Sequence, residues 1–440
     1  MSTQHPQTAA PNLDQVPSST RRRVLLAAGI GHFVEWFDFG LYGTLAATIA
    51  VLFFPDGDPQ VKLLAAFAVF GAGFVMRPLG GLFWGPLGDK IGRKKVLASV
   101  VLMTSGATFL MGLLPTYHNV GVVATIALVL LRLVQGFAAG GESSGATTLL
   151  AEYAPPNRRG YFASWVDNFG FLAFVAGSGL VLLLTALLSE PAMAEWGWRL
   201  PFLLAGPLGL AGLYLRQRLE DTPEFTRLEQ DGEVIESPLR QTFRRAWIPM
   251  LFCVGFVVLK AVGHWSLQTF MPSYLSTTLQ FTKLQSYTIT TITLLVIAIL
   301  VPAMGLLSDR VGRRPMLITG AAGFLILAYP AFWLMGQGQF LPAAAAMIVL
   351  GIFLAIFDGA VSAAMAELFP TAVRYGGMAV AYNVSVAIFG GATPYFAAWL
   401  ITSTGSNTSP AFFVMAAALI TGVTVLFARE THRTALADVR

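Results

Sequence analysis

The sequence has 440 residues, of which 55% are hydrophobic and only 12% charged, and its net charge at pH 7 is +5. Soluble domains carry about 25% charged residues, so this composition excludes an ordinary soluble protein and is typical of a membrane protein. Because Cys253 is the single cysteine, no intramolecular disulfide can form.

Apolar runs recur along the whole chain, and each is long enough to cross the ~30 Å hydrocarbon core of a bilayer as a helix. A transmembrane barrel would instead show alternating segments of about 10 residues. We therefore predict an all-α polytopic membrane protein with twelve transmembrane helices. The spans are expected near residues 24–54, 61–87, 96–115, 121–150, 162–188, 196–216, 247–276, 285–307, 315–335, 341–369, 377–402 and 410–428.

Positive charge lies mainly on one side of these spans. Most of the 28 Lys and Arg residues fall in the N-terminal tail, the even-numbered loops and the C-terminus. Under the positive-inside rule this places both termini in the cytoplasm and the protein in the plasma (cytoplasmic) membrane. The positive excess therefore sets the topology and does not indicate binding to nucleic acid.

Polar segments divide the chain into domains. Residues 1–20 are rich in Ser, Thr, Gln and Pro, which predicts a disordered cytoplasmic tail. The one long polar connection, 217–246, is rich in Glu, Asp, Arg and Gln and is interpreted as a cytoplasmic linker. It separates a six-helix bundle at 21–216 from a second bundle at 247–428. Residues 429–440 are expected to form a cytoplasmic tail.

The first predicted span carries a polar stripe. His32, Glu35, Asp38 and Tyr42 share one helix face at 100° per residue. Two carboxylates one turn apart inside an apolar span are costly and suggest a path for protons or ions. Glu35 and Asp38 are therefore candidate proton-coupling residues. The alternative is that one of them is a neutral, hydrogen-bonded structural acid.

The fourth span has a second polar face, formed by Arg132, Gln135 and Glu142. Arg132 and Gln135 are candidate substrate-binding residues, and Glu142 is a further candidate for proton coupling. Arg77, in the second span, could be a structural residue that pairs with a helix end.

Three later spans contribute polar residues to the candidate site. The seventh places Lys260, His264 and Gln268 at i, i+4 and i+8, and we expect this face to point into the bundle because a lysine facing hydrocarbon is costly. In the fifth span, Trp165 is a candidate for substrate binding and Asp167 for proton coupling, although Asp167 could instead be a shallow cap. The tenth and eleventh spans add the candidate substrate-binding residues Asp358, Tyr382 and Asn383.

Two charged motifs occur twice, about half the chain apart. Gly-Asp-Lys-Ile-Gly-Arg at 88–93 matches Ser-Asp-Arg-Val-Gly-Arg at 308–313, with an offset of 220 residues. Such an internal repeat predicts two parallel copies of one six-helix unit. Topology alone does not require this spacing, so we expect the repeated charges to form a gate. The candidate gating residues are Asp89, Arg93, Asp309, Arg313, Glu152, Arg159, Glu367 and Arg374.

Several motifs that carry chemistry are absent from the sequence. No Gly-Lys dipeptide occurs, so the chain has no P-loop for ATP hydrolysis, and five scattered histidines include no His-Glu-x-x-His zinc motif. We predict no enzyme activity, no cofactor and no metal site. Any uphill transport must then draw on an ion gradient.

The repeated loops resemble the signature of the major facilitator superfamily. A finer resemblance is to its metabolite:proton symporter family, in motifs that include Glu35-Trp36-Phe37-Asp38, Arg77-Pro78-Leu79-Gly80-Gly81 and Trp196-Gly197-Trp198-Arg199. Within that family the chain is most similar to the proline/glycine-betaine osmolyte transporters, through Ser164-Trp165-Val166-Asp167 and Met271-Pro272-Ser273-Tyr274. It ends at Arg440 without the long C-terminal coiled coil that some osmosensory relatives carry.

The resemblance implies proton-coupled symport of a small zwitterionic osmolyte by alternating access. Lys260 and His264 depart from that pattern, because uncharged residues are expected there and a lysine suits an anionic substrate. The alternative is therefore symport of an organic acid of the citrate, α-ketoglutarate or shikimate type. A channel, a transporter-like receptor and an intramembrane enzyme are the rival classes. The expected partners are the substrate, protons and the lipid bilayer, with no nucleic acid and no obligatory protein partner.

Overall fold

The computed structural model describes residues 18–91, 93–140, 147, 150, 154–155, 157–217, 239–370 and 374–432, and within these ranges the chain is helical with short connections and no strand. The helices of the N-terminal half are α1 (Ser18–Thr44), α2 (Ala46–Phe53), α3 (Pro59–Ile91), α4 (Arg93–Leu113), α5 (Val122–Ala139), α6 (Arg159–Leu187) and α7 (Arg199–Gln217). Those of the C-terminal half are α8 (Leu239–Trp265), α9 (Lys283–Val311), α10 (Arg313–Met335), α11 (Phe340–Leu368), α12 (Arg374–Ser385), α13 (Thr393–Thr404) and α14 (Ser409–Phe427).

The all-α fold predicted from the apolar runs is confirmed, and each of the twelve predicted spans overlaps a helix. Among the described residues, nine helices are long and apolar enough to cross a membrane. The number is ten if α1 and α2, bent by 63° at Leu45, form one span. The count of twelve spans stays a prediction. The main shortfall is in α4, whose apolar part is only Ala98–Leu113.

The helix ends differ from the predicted bounds by several residues. The α1 helix begins at Ser18, ahead of the predicted start near residue 24. The α8 helix begins at Leu239 but breaks at Ala246, next to the predicted start of the seventh span at 247. Residues 1–17 and 218–238, which hold most of the predicted tail and linker, lie outside the described residues.

Two α-helices continue into π-helical turns near the middle of the molecule. Ser266–Phe270 and Tyr274–Thr278 extend α8, and Val386–Gly390 joins α12 to α13. A π-helical turn shifts the register of the side chains that follow it and is frequent at functional sites. These turns lie in the C-terminal half, where they face the N-terminal half.

The two halves pack through α6, which lies along α9 and α11, and through α3, which lies against Val386–Gly390 and α13. Close approach of α6 and α9 requires glycine. A Cβ atom added at Gly305 would lie 2.8 Å from the carbonyl oxygen of Gly160 and the same distance from Ser164 Cβ. The interface between the halves is therefore dense at this end of α6 and α9.

Candidate functional site

A buried ion pair joins the two halves at the centre of the molecule. Lys260 Nζ in α8 lies 2.6 Å from Asp167 Oδ1 in α6, and Ser362 Oγ in α11 donates a hydrogen bond of 2.5 Å to Asp167 Oδ2. All three side chains are less than 10% exposed. The predicted inward orientation of Lys260 is thus what the structure shows, and Asp167 is a partner in the interior rather than a shallow cap.

A second carboxylate faces the same lysine. Asp358 Oδ1 lies 3.8 Å from Lys260 Nζ, and Asp358 Oδ2 lies 3.8 Å from His264 Nδ1. Asp358 is fully buried, and neither of its oxygens accepts a hydrogen bond from the described residues. One ammonium group therefore balances two carboxylates, with the imidazole beside them. Removing the lysine would leave buried charge uncompensated, which typically costs 3–5 kcal/mol.

Two small cavities lie on either side of this ion pair. Both are lined by His32, Asp167, Lys260 and Tyr382, so the ion pair is part of their common wall. The first cavity is completed chiefly by Trp36, Gly170, His264, Trp265 and Val386. The second is completed by Thr147, Val166, Ser362, Met365 and Met378.

Aromatic rings dominate the first cavity. Trp36 and Trp265 stack with ring centroids 5.4 Å apart, and the His264 ring contacts both at 5.2 and 5.5 Å. The Trp36 indole N–H donates to His32 Nδ1 at 3.1 Å, which fixes its orientation. Rings of this kind attract organic cations through their π faces, and quaternary ammonium groups are the best-known ligands of such walls.

The π-helical turn after α8 holds further polar groups. Gln268 is fully buried, and neither its amide oxygen nor its amide nitrogen has a hydrogen-bond partner among the described residues. The same holds for the hydroxyls of Ser266 and Thr269. Buried polar groups are normally paired, so this turn offers hydrogen bonds to a ligand or to water.

A separate set of charges lies inside the N-terminal half. Arg77 in α3 pairs with Glu35 in α1, and both side chains are almost fully buried. Arg77 thus pairs with an acid in the first span rather than with a helix end. Because both partners belong to one half, this ion pair does not have to break when the two halves move apart.

Asp38 lies one turn further along α1, close to Arg132 of α5. Neither Asp38 oxygen forms a hydrogen bond with the described residues, although Thr108 and Arg132 lie beside it. Arg132 donates to Gln135 and stacks against the Tyr42 ring at 4.4 Å. Arg132 and Gln135, predicted to bind substrate, lie in this buried cluster and do not line either cavity.

Charges at one end of the molecule link the halves a second time. The carboxylate of Asp309 in α9 accepts hydrogen bonds from the backbone N–H groups of Gly160 (2.7 Å) and Tyr161 (2.9 Å), so it caps the N-terminus of α6. Arg313 lies 2.9 Å from Asp309 and 3.1 Å from Glu367. We call Arg159, Asp309, Arg313 and Glu367 the charged end, since Arg159 of α6 also pairs with Glu367 at 3.4 Å.

The chain after α14 completes the charged end. Glu430 accepts hydrogen bonds from the backbone N–H groups of Arg313 (2.8 Å) and Arg314 (2.9 Å) at the start of α10. Thr431 Oγ1 donates to Glu367 at 2.6 Å. Partial burial raises the pKa of the Glu430 carboxyl, but these backbone N–H groups outweigh it and hold the pKa below its usual range. The sequence carries no local signal for this contact, because a short polar tail after a last helix is ordinary.

The remaining candidates are placed as follows. Trp165 packs between Tyr161 and Phe169, away from the two cavities. Asn383 donates to the Ala379 carbonyl, and Arg374 donates to the Ala366 carbonyl, at 3.0 Å in each case. Glu142 and Glu152 lie outside the described residues, as do the side chains of Asp89 and Arg93. Within the described part of the chain, no three His, Cys, Asp or Glu residues are grouped to hold a metal.

Two family models match this sequence. The model described as "Sugar (and other) transporter" matches residues 24–241, and the model described as "Major Facilitator Superfamily" matches residues 258–438. Together they cover both six-helix units predicted from the repeat.

Named relatives match nearly the whole chain. The glycine betaine/proline/ectoine/pipecolic acid transporter of Dickeya dadantii is 42% identical over 419 residues, which are 93% of this chain and 83% of that protein. The proline/betaine transporter of Escherichia coli K12 is 41% identical over 92% of this chain and 83% of its own length. The ectoine/proline transporter of Corynebacterium glutamicum is 37% identical over 97% of this chain and 88% of its own.

Solved structures match the fold at low sequence identity. The partially occluded inward-open form of the xylose transporter of E. coli superposes with a TM-score of 0.73 at 16% identity, covering 94% of this chain and 99% of that one. The same symporter bound to 6-bromo-6-deoxy-D-glucose gives a TM-score of 0.72 at 17% identity, over 96% and 98% of the two chains. These likenesses show a shared fold.

Proposed function

Because this chain belongs to the major facilitator superfamily, within the family that contains the proline/betaine transporters, we propose that it is a proton-coupled symporter of a small zwitterion. The substrates named for the D. dadantii relative all pair a carboxylate with a nearby cationic nitrogen. The chain is a secondary transporter and not an enzyme, and its two halves rock about a central site to expose that site alternately.

The central cavities carry this proposal, because they offer a partner for each end of a zwitterion. Lys260 and Ser362 supply an ammonium and a hydroxyl for a carboxylate. Trp36, Trp265 and Tyr382 supply ring faces for a cation. The residues from α1, α6, α8, α11 and α12 meet at this point, which is the interface between the two halves.

The charge around Lys260 argues against the alternative substrate, an organic acid with two or three carboxylates. Such a substrate needs several uncompensated cations, whereas Lys260 already faces Asp167 and Asp358. Arg132, which could have served as a second cation, lies in the separate cluster with Asp38.

Proton coupling is assigned to Asp38. This carboxylate is 1% exposed, lacks a hydrogen bond from the described residues, and lies beside the Arg132 guanidinium. Burial favours the protonated acid and the arginine favours the carboxylate, so the two protonation states can exchange during a transport cycle. Glu35, paired with Arg77, is assigned a structural role beside it.

The membrane arrangement belongs to the same proposal. Twelve spans, as two six-helix halves with both termini in the cytoplasm of a cell with this transporter in its inner membrane, follow from the apolar runs and from the positions of Lys and Arg. The charged end then faces the cytoplasm, where it closes the pathway from that side.

The test is uptake into proteoliposomes energised with a proton gradient and an inside-negative potential. Proline and glycine betaine should accumulate, whereas citrate, α-ketoglutarate and shikimate should not. One charge crossing 100 mV supplies about 2.3 kcal/mol, so the potential alone supports roughly fifty-fold accumulation of a zwitterion carried with one proton. Strong uptake of the organic acids without uptake of either zwitterion would contradict the proposal.

A further inference from the structure

The ion pair between Asp167 and Lys260 has the composition of a carboxylate-binding site that is already filled. Lys260 and Ser362 both belong to the C-terminal half, and they contact the two oxygens of a single carboxylate at 2.6 and 2.5 Å. That carboxylate, Asp167, comes from the N-terminal half. Charge-assisted hydrogen bonds of this kind would hold the carboxylate of a ligand equally well.

Only one carboxylate at a time can occupy this position. Lys260 also faces Asp358 at 3.8 Å, so the lysine keeps one negative neighbour when Asp167 leaves. A ligand carboxylate that replaces Asp167 therefore restores the charge around Lys260. Asp167 is then left as a buried carboxylate without its cation, which is strongly unfavourable unless the ligand supplies a new one.

We propose that the substrate inserts into this ion pair, with its carboxylate on Lys260 and Ser362 and its cationic group facing Asp167. This inference rests on the proposed function and adds to it the reason why the substrate must be a zwitterion. An anion without a cationic group would face Asp167 with no compensation. Asp167 is thereby a specificity-determining residue.

The space around the ion pair suits such an insertion. The two cavities share a wall formed in part by Asp167 and Lys260, so separating these side chains joins the cavities into one chamber. On the aromatic side of that wall lie Trp36 and Trp265, next to Asp167. A quaternary or secondary ammonium group placed there meets both the Asp167 carboxylate and the ring faces.

Insertion also changes how the halves are joined. In the empty protein, Asp167 of α6 contacts Lys260 of α8 directly at 2.6 Å. In the loaded protein, the same two residues are joined through the substrate, which is longer than a single hydrogen bond. The loaded and empty forms therefore hold α6 and α8 at different separations.

The experiment compares two pairs of ligands of matched shape on the purified full-length protein. Glycine betaine is paired with 3,3-dimethylbutanoate, and proline with cyclopentanecarboxylate; in each pair the second ligand keeps the carboxylate and replaces the cationic nitrogen by carbon. Dissociation constants are measured by equilibrium binding for the wild-type protein and for Asp167→Asn. The amide in that variant keeps an oxygen for Lys260, and Asp358 still balances the lysine.

The wild-type protein should prefer each zwitterion over its carbon analogue by about tenfold or more, since the analogue leaves Asp167 uncompensated. In Asp167→Asn this preference should fall by roughly tenfold, with weaker binding of the zwitterion and unchanged or tighter binding of the analogue. An unchanged preference, or an equal loss of affinity for both ligands of a pair, would overturn the inference.

Failure of the proposed function gives a different result, because neither zwitterion would then bind to the wild-type protein. Asp309→Asn is the matched control, as it removes an aspartate that links the halves at the charged end and should leave the preference within each pair unchanged. Asp167→Ser repeats the measurement if Asp167→Asn does not yield folded protein, and it should reduce the preference in the same direction.

Discussion

The buried charges of this protein fall into two sets that differ in which helices they join. Glu35 with Arg77, and Asp38 beside Arg132, lie among helices of the N-terminal half. Asp167 with Lys260 joins α6 to α8 and therefore the two halves. If the halves rock as rigid units, the first set keeps its neighbours throughout the cycle, whereas the second must separate whenever the centre opens.

This difference assigns different tasks to chemically similar groups. A carboxylate that keeps its surroundings can load and release a proton without disturbing the packing of helices. A carboxylate that links the halves couples its own pairing to the position of the helices, and so it can respond to substrate. The same distinction applies at the charged end, where Asp309 caps α6 across the interface.

The largest effect is expected for the carboxylate inside one half. Asp38→Asn removes the proposed proton carrier while leaving the central cavities intact, so accumulation driven by a proton gradient should fall from roughly fifty-fold to none. Exchange of substrate across the membrane at equal concentrations should partly survive. Both are measured with radiolabelled substrate in proteoliposomes.

Asp56→Asn is a suitable control for this experiment, because Asp56 forms an exposed ion pair with Lys62 far from the helix interior. Normal accumulation by Asp38→Asn would place the coupling proton on another acid. Asp167 and Glu142 would then be the next carboxylates to replace.

A smaller effect is expected at the charged end. Asp309→Asn weakens the cap on α6, which is worth about 1 kcal/mol, and should shift the equilibrium between closed and open forms of this end by roughly fivefold. Substrate affinity should change little. The measurement is the labelling rate of Met378→Cys, which lines the second cavity, in a protein whose only native cysteine is removed by Cys253→Ala.

Labelling of that cysteine should be faster in the Asp309→Asn protein, and Asp56→Asn should leave it unchanged. Unaltered labelling together with an unaltered transport rate would show that Asp309 does not hold this end closed.

Much of this arrangement could be predicted from the sequence, because a helix long and apolar enough to span a bilayer is a local property. The polar faces of α1 and α8 followed from helical spacing in the same way. Helical spacing shows which face is polar, but not what it contacts. The pairing of Asp167 with Lys260 depends on how α6 and α8 meet, and the two residues are 93 positions apart.

The role of Glu430 shows the same limit more sharply. Its partners, the backbone N–H groups of Arg313 and Arg314, are more than 110 residues away and carry no side-chain signature. Likewise, Arg132 and Lys260 both read as cations facing the interior, and only the packing places one with Asp38 and the other in the cavities.

The smallest effect is expected where the chain after α14 meets the charged end, and it should depend on pH. Backbone N–H groups of Arg313, Arg314, Thr431 and His432 outweigh partial burial and lower the pKa of Glu430. A carboxyl group whose pKa is lower in the folded protein stabilises the fold at pH values above its ordinary value of about 4.3, and this contribution is lost as the pH falls through the lowered pKa. Glu430→Gln should therefore melt at a slightly lower temperature than the wild type at pH 7, and the difference should disappear in acid below the usual carboxyl range. Glu195→Gln, on the exposed turn before α7, is the control and should show no such difference at either pH. A wild-type advantage that persisted undiminished in acid would mean that Glu430 acts through its shape and not through its charge.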